Sequence, residues 1–204
     1  MSEQKARVAV LVSGGGTNLQ AILDAQQTGA IHSGEVALVI SNKADAYALE
    51  RARQAGVPAL TVLKKDCGSQ QAFEERIAAA LEENGIDLIV LAGFLAILSP
   101  WFTDRFKGRI INVHPSLIPS FCGAGYYGLK VHEAALQKGV KVTGATVHFV
   151  NEIPDGGEII LQKAVRVLPG DTPEKLQKRV MRQAEWKILP QAVEMLCART
   201  IKED

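Results

Sequence analysis

A chain of 204 residues is long enough for one α/β domain with a complete core, since roughly 70% of the unfolded surface is buried at this size. With 23 Lys+Arg against 22 Asp+Glu, no global field argues for nucleic acid or an acidic membrane, and any anionic ligand has to be held locally. Cys67, Cys122 and Cys197 are far apart, indicating neither a disulfide framework nor a zinc site, and a polar N-terminus without an apolar run approaching about 18 residues reads as a cytoplasmic protein outside the membrane.

Arg7–Ser13 is a continuous apolar run, the pattern of a strand buried on both faces in a parallel sheet. Gly14, Gly15 and Gly16 stop it, and Thr17 and Asn18 open a helical pattern with Leu19, Ile22 and Leu23 on one face. A strand, a glycine turn and a helix start in succession form an anion-binding geometry. They also suit a tight turn with no ligand. The spacing is neither the dinucleotide fingerprint nor a P-loop.

Val36–Ser41 reads as a second strand, 46–55 as a helix ended by Gly56, and Ala59–Leu63 as a third strand. Ser69 can cap a helix whose Phe73, Ile77 and Leu81 form a core stripe. Asp87–Ala92 is the fourth buried strand. It leads into the apolar loop Gly93–Pro100, suited to lining a pocket for a flat ring or to tucking under a following helix. Strands alternating with helices predict right-handed crossovers and an open parallel sheet, with ligands beyond the strand C-termini.

Ile110–His114 ends an apolar strand in two polar side chains. Asn112 and His114 are two apart, so an extended strand points both to one face, and Pro115 keeps His114 extended. A carboxamide can donate to a developing oxyanion, and an imidazole can give or take a proton near neutrality. The simpler account of the pair alone is a turn cap and a satisfied core histidine.

A glycine-rich connection, 121–128, is too long for a simple turn and suggests function or mobility. Val131–Lys138 reads as a helix, and Val140–Phe149 with Glu158–Val167 as a hairpin whose tip carries Asp155 in Asp155-Gly156-Gly157. The simpler account of Asp155 alone is an Asx-type turn residue. Thr172 and Pro173 start a last helix, which Pro190 is expected to kink or break.

Assembled, these residues resemble the phosphoribosylglycinamide formyltransferases, folate-dependent enzymes of purine synthesis. The most specific part is Asn112-Val113-His114-Pro115-Ser116-Leu117-Ile118-Pro119, followed by Gly144–Val150 and Asp155-Gly156-Gly157. Ser13–Gln20 matches the family's N-terminal substrate loop rather than that of formyltransferases acting on tRNA or sugar nucleotides. The resemblance implies one open, mostly parallel twisted α/β sheet with helices on both faces and an antiparallel strand near the C-terminal end. It implies a single domain over 1–204, with a Rossmann-like phosphate-binding half over about 1–110 and a catalytic, folate-binding half over about 111–204.

By the same resemblance, Asn112, His114 and Asp155 are catalytic. Gly16, Thr17, Asn18 and Glu185 bind glycinamide ribonucleotide, while Leu95, Ala96, Ile97, Leu98, Asn112 and Gln70 bind 10-formyltetrahydrofolate. Asp155 is expected to raise the pKa of His114, and His148 is left outside the catalytic set. No metal, nucleic acid or membrane partner is implied, and the protein is expected to be a monomer or homodimer. Ala96 and Gln70 stand where many relatives carry arginine, so grip on the folate's glutamate tail is expected to be weak or relocated. Other readings are transfer to a different amine, a nucleotide-binding oxidoreductase, or a non-catalytic binding module. The last gives no reason for Asn112, His114 and Asp155 to occur together.

Overall fold

The computed structural model describes residues 5–203; the expected polar N-terminus therefore lies, but for Lys5, outside the described residues. In chain order the elements are β1 (Ala6–Val12), α1 (Thr17–Gln27), β2 (Gly34–Ser41), α2 (Tyr47–Gln54), β3 (Ala59–Thr61), α3 (Gln70–Glu83), β4 (Leu88–Leu91), α4 (Pro100–Arg105), β5 (Ile110–His114), α5 (Leu129–Lys138), β6 (Val142–Phe149), β7 (Ile159–Arg166), α6 (Pro173–Val180) and α7 (Trp186–Glu203).

One sheet runs through all seven strands in the order β3-β2-β1-β4-β5-β6-β7. β3, β2, β1, β4 and β5 are parallel, and β6 pairs antiparallel with both β5 and β7. As expected, the sheet is mostly parallel with its exception near the C-terminal end. Strand order reverses between β1 and β4, where ligands collect in such sheets. The loops after β1, β4 and β5 all leave this C-terminal edge.

Alternation along β1 builds two cores. Val8, Val10 and Val12 pack with Leu19 and Ile22 of α1, Leu176 of α6 and Leu189 and Val193 of α7. Ala9 and Leu11 face the other way, onto Phe73, Ile77 and Leu81 of α3 and Phe102 of α4. Strands buried on both faces explain why the sequence reads as unbroken apolar runs. Ser69 caps α3, its side chain accepting from the Ala72 N–H.

Pro190 corrects an expectation. It lies inside α7, which continues to Glu203, and the irregularity falls one turn earlier as a π-helical turn over Met181–Glu185. A proline ring crowds and leaves unbonded the carbonyl four residues before it, here Trp186, so the distortion is taken up N-terminal to the ring. No described helix is long and apolar enough to cross a membrane, and the three cysteines are free.

Candidate active site

β5 places Asn112 and His114 on one face, opposite His148 and Thr146 of β6 respectively. The turn after Pro115 is held against β6: Thr146 Oγ1 donates to the Ser116 carbonyl (2.7 Å) and accepts from the Ile118 N–H (3.1 Å). His114 is buried at 4% exposure. Its Nε2 donates to the Phe121 carbonyl at 2.8 Å, an oxygen that can only accept. Phe121 adopts φ 51°, a left-handed conformation that costs a bulky residue about 1–2 kcal/mol. That backbone turns the carbonyl onto the imidazole.

With Nε2–H fixed, the lone pair of neutral His114 lies on Nδ1, which faces Asp155 Oδ2 at 3.4 Å. Asp155 comes from the connection between β6 and β7, which is pinched at its neck where the Phe149 N–H donates to the Glu158 carbonyl. A Cβ on Gly157 would sit 1.8 Å from the Phe149 carbonyl oxygen, so only glycine lets the chain fold back there. Asp155 then accepts the Gly123 N–H at 2.8 Å and lies 3.5 Å from His148 Nε2. His148 donates from Nδ1 to the Phe149 carbonyl (2.8 Å), leaving Nε2 to meet the Asn112 carboxamide nitrogen at 3.3 Å.

Burial pushes the His114 imidazole below its ordinary value, against the raising influence of the Phe121 carbonyl and Asp155. Asp155 thus raises it as expected, but desolvation of a nearly enclosed ring outweighs that carboxylate at 3.4 Å, and the net shift is downward. Burial alone would raise Asp155; the adjacent His148 ring, the Gly123 N–H and the neighbouring His114 imidazole together hold it below the usual carboxylate range. The structure thus brings Asn112, His114 and Asp155 together and adds His148, Phe121 and Gly123. His148, left outside the catalytic set, enters because β6 pairs with β5 and sets it opposite Asn112, a register the sequence did not display. The Phe121 carbonyl and Gly123 amide carry no side-chain signal.

Beside this group a cleft of about 150 Å³ is lined by Ala96, Ile97 and Leu98, with Leu91, Phe94, Asn112, His148 and the 150–155 segment. Leu95 and Gln70 lie outside the lining. The Leu95 N–H is spent on Ser13 Oγ (2.8 Å), and Gln70 Nε2 donates to Glu74 (2.6 Å) and the Ile97 carbonyl (3.1 Å). Buried Glu74 also accepts the Ser99 N–H (2.7 Å) and hydroxyl, so the loop hangs from α3. The charged lining residues are Glu152 and Asp155, with no lysine or arginine.

Gly16 precedes α1 in the left-handed region (φ 69°) with no side-chain cap. Thr17 and Asn18 form the first turn. Asn18 Nδ2 donates to Glu185 Oε2 at 2.8 Å, while the buried Asn18 Oδ1 has no partner. Burial pushes Glu185 up to about 7, with the Asn18 bond opposing. Glu185 ends the π turn, so a residue late in the chain closes against the glycine turn that opens α1. Among the described residues no group of three or more His, Cys, Asp or Glu is arranged to hold a metal ion.

Residues 6–193 match the formyl transferase family. The chain belongs to that family. Its relatives include phosphoribosylglycinamide formyltransferase of Haemophilus influenzae, 46% identical over 90% of this chain and 84% of that protein. The human trifunctional purine biosynthetic protein adenosine-3 is 45% identical over 98% of this chain, which spans only 19% of that longer protein. Among solved structures, glycinamide ribonucleotide transformylase 1 from Symbiobacterium toebii superposes with a TM-score of 0.89 at 45% identity, covering 97% of this chain and 93% of the other. Formyl transfer calls for a donor to a tetrahedral oxyanion and an acceptor for the amine proton, and β5 presents a carboxamide and an imidazole, Asn112 and His114, on one face.

Proposed function

We infer that this protein transfers the formyl group of 10-formyltetrahydrofolate to the amine of 5-phosphoribosylglycinamide, giving formylglycinamide ribonucleotide and tetrahydrofolate in purine biosynthesis. The observation that carries the chemistry is the cluster of Asn112, His114, His148 and Asp155 beside an apolar cleft. The amine nitrogen attacks the formyl carbon, and the carbonyl oxygen becomes an oxyanion that accepts from Asn112 Nδ2. His114, its pKa lowered by burial, begins neutral and takes the amine's proton. The resulting imidazolium is held between Asp155 and the Phe121 carbonyl and lies beside the oxyanion. As the bond from the formyl carbon to the folate nitrogen breaks, His114 returns the proton to that nitrogen. No step requires a metal.

The pterin occupies the cleft. Because the Leu95 N–H and Ile97 carbonyl already serve the loop, its hydrogen bonds fall mainly to the backbone of Ala96 and Leu98 and to the 150–155 segment. The ribose phosphate sits on the amides of Gly16 to Asn18, with Glu185 toward the ribose. The test supplies the protein with 10-formyltetrahydrofolate and either glycinamide ribonucleotide or glycinamide, following the formylated product by mass and tetrahydrofolate by absorbance. The ribonucleotide should turn over at least about 10²-fold more efficiently, since losing the phosphate and ribose contacts leaves site groups unpaired. Equal use of both amines, or none of either, would sink the assignment.

A further inference from the structure

The glycine turn that opens α1 is gripped from behind by α2, and the grip fixes the direction of its amides. The Ala48 N–H donates to the Gly14 carbonyl at 3.1 Å. Arg51, half-buried on the next turn, donates from Nε to the Gly15 carbonyl at 2.8 Å and from Nη1 to Gln20 Oε1 at 2.9 Å. One planar guanidinium therefore spans both ends of the segment containing Gly16, Thr17 and Asn18. It lies 5.0 Å from the centre of the Tyr47 ring, which limits its freedom. The packing is close: a Cβ on Gly16 would meet Ala48 Cβ at 2.6 Å and Arg51 Cδ at 3.3 Å.

A trans peptide is planar, so its carbonyl and the following N–H point in opposite directions. Fixing the Gly14 and Gly15 carbonyls toward α2 aims the Gly15 and Gly16 N–H groups away from it. With the first amides of α1 they form a concave set of donors suited to an anion. The buried Asn18 Oδ1 on the same turn still lacks a partner. Resting on the reading of this loop as the phosphate site, we propose that Arg51 is a positioning residue that preorganises the loop amides and thereby sets the preference for a phosphorylated over an unphosphorylated amine substrate. Its charge, one peptide behind the donors, acts in the same direction on a phosphate dianion.

The experiment measures kcat and KM for glycinamide ribonucleotide and for the phosphate-free glycinamide riboside in the wild type, Arg51→Ala, Arg51→Lys and, as a control on the same helix, Arg53→Ala. Arg53 pairs at the surface with Glu50, whose carboxylate also accepts from Gln54, and its removal should leave all constants unchanged. Arg51→Ala should raise KM for the ribonucleotide at least about tenfold, the scale of losing hydrogen bonds to a charged group. Its kcat should stay within about threefold, with KM for the formyl donor and the riboside constants unchanged, so the preference for phosphate contracts by the same factor. Arg51→Lys keeps the charge but cannot span Gly15 and Gln20 together, and should fall between. A merely structural role would lower efficiency with both amines equally, and that result overturns the proposal. If the wild type prefers the ribonucleotide and Arg51→Ala keeps the whole preference, the role of Arg51 fails alone; a wild type indifferent to the phosphate removes the loop from the phosphate site and the proposal with it.

Discussion

Two enclosed carboxylates, one at each end of the site, are driven in opposite directions. Glu185 has the Asn18 carboxamide as its hydrogen-bond donor and no cation, and burial pushes it up to about 7. Asp155 is also desolvated, yet the adjacent His148 ring, a backbone amide and the nearby His114 imidazole hold it below the usual range. Burial sets the cost, and the number and charge of the donors decide whether the ion survives. Asp155 is thereby equipped to stay charged beside His114, as the proposed proton transfer to that ring requires. Glu185 is equipped to meet a neutral hydroxyl with either protonation state.

The largest expected effect comes from breaking the Asp155 end. His114→Ala and Asp155→Asn should each lower turnover by at least about 10², the lower range for losing a general acid–base group, with small changes in folate affinity. The double variant should be little worse than the poorer single, because groups acting as a unit lose their joint effect when either goes. Asp155→Asn also removes an influence that raises the His114 pKa. His114 must begin neutral, so the acid limb of the kcat profile should move to lower pH. Near-normal turnover in folded Asp155→Asn, effects that multiply in the double, or an acid limb that rises would break the coupling.

At the other end the sign reverses. A Glu185 pKa raised from 4.5 to about 7 means the folded chain binds more protons than the unfolded chain between those values, so stability falls as pH rises through that window. Glu185→Gln keeps an acceptor for Asn18 and removes the ionisation. It should melt above the wild type at pH 8, by a margin on the order of 3 kcal/mol, and match it near pH 4, while weakening ribonucleotide binding. A thermal-melting difference independent of pH would overturn the account. Asp155 contributes in the opposite sense, its stabilisation being lost as pH falls.

The smallest effect sharpens the contrast in the cleft. Its lining offers carboxylates at Glu152 and Asp155 and no lysine or arginine, so mono- and polyglutamylated folates should differ in affinity by less than about fivefold at low salt, the scale of exposed ion pairs. A larger difference, measured by titration, would place a basic residue on the tail.

What was legible follows from how local each cause is. The strand spacing of Asn112 and His114, the restraint from Pro115 and the alternation in β1 are fixed by neighbours in sequence, and the fold read from them agrees with the sheet observed. The direction of the His114 pKa was not legible, because enclosure depends on Phe121 and β6 folding over the ring. Pro190 announced a distortion but not its place, since the affected carbonyl lies a turn upstream. For Gln70 and Leu95 the family resemblance implied folate contact; the tertiary hydrogen bonds from Gln70 to Glu74 and the Ile97 carbonyl and from the Leu95 amide to Ser13 depend on distant parts of the chain and were not legible.

The bond between Asn18 and Glu185 joins positions 167 apart. During synthesis, β1 to β5 and the whole Asn112/His114 strand exist well before Glu185 is made, so the substrate end is among the last parts of the site to close. Non-local closure of this kind slows folding. A ribonucleotide bound as proposed, against both the first loop and the late helix, would act as a clasp between them. Its stabilisation, by mass action on the native state alone, would reach α1 and the π turn together.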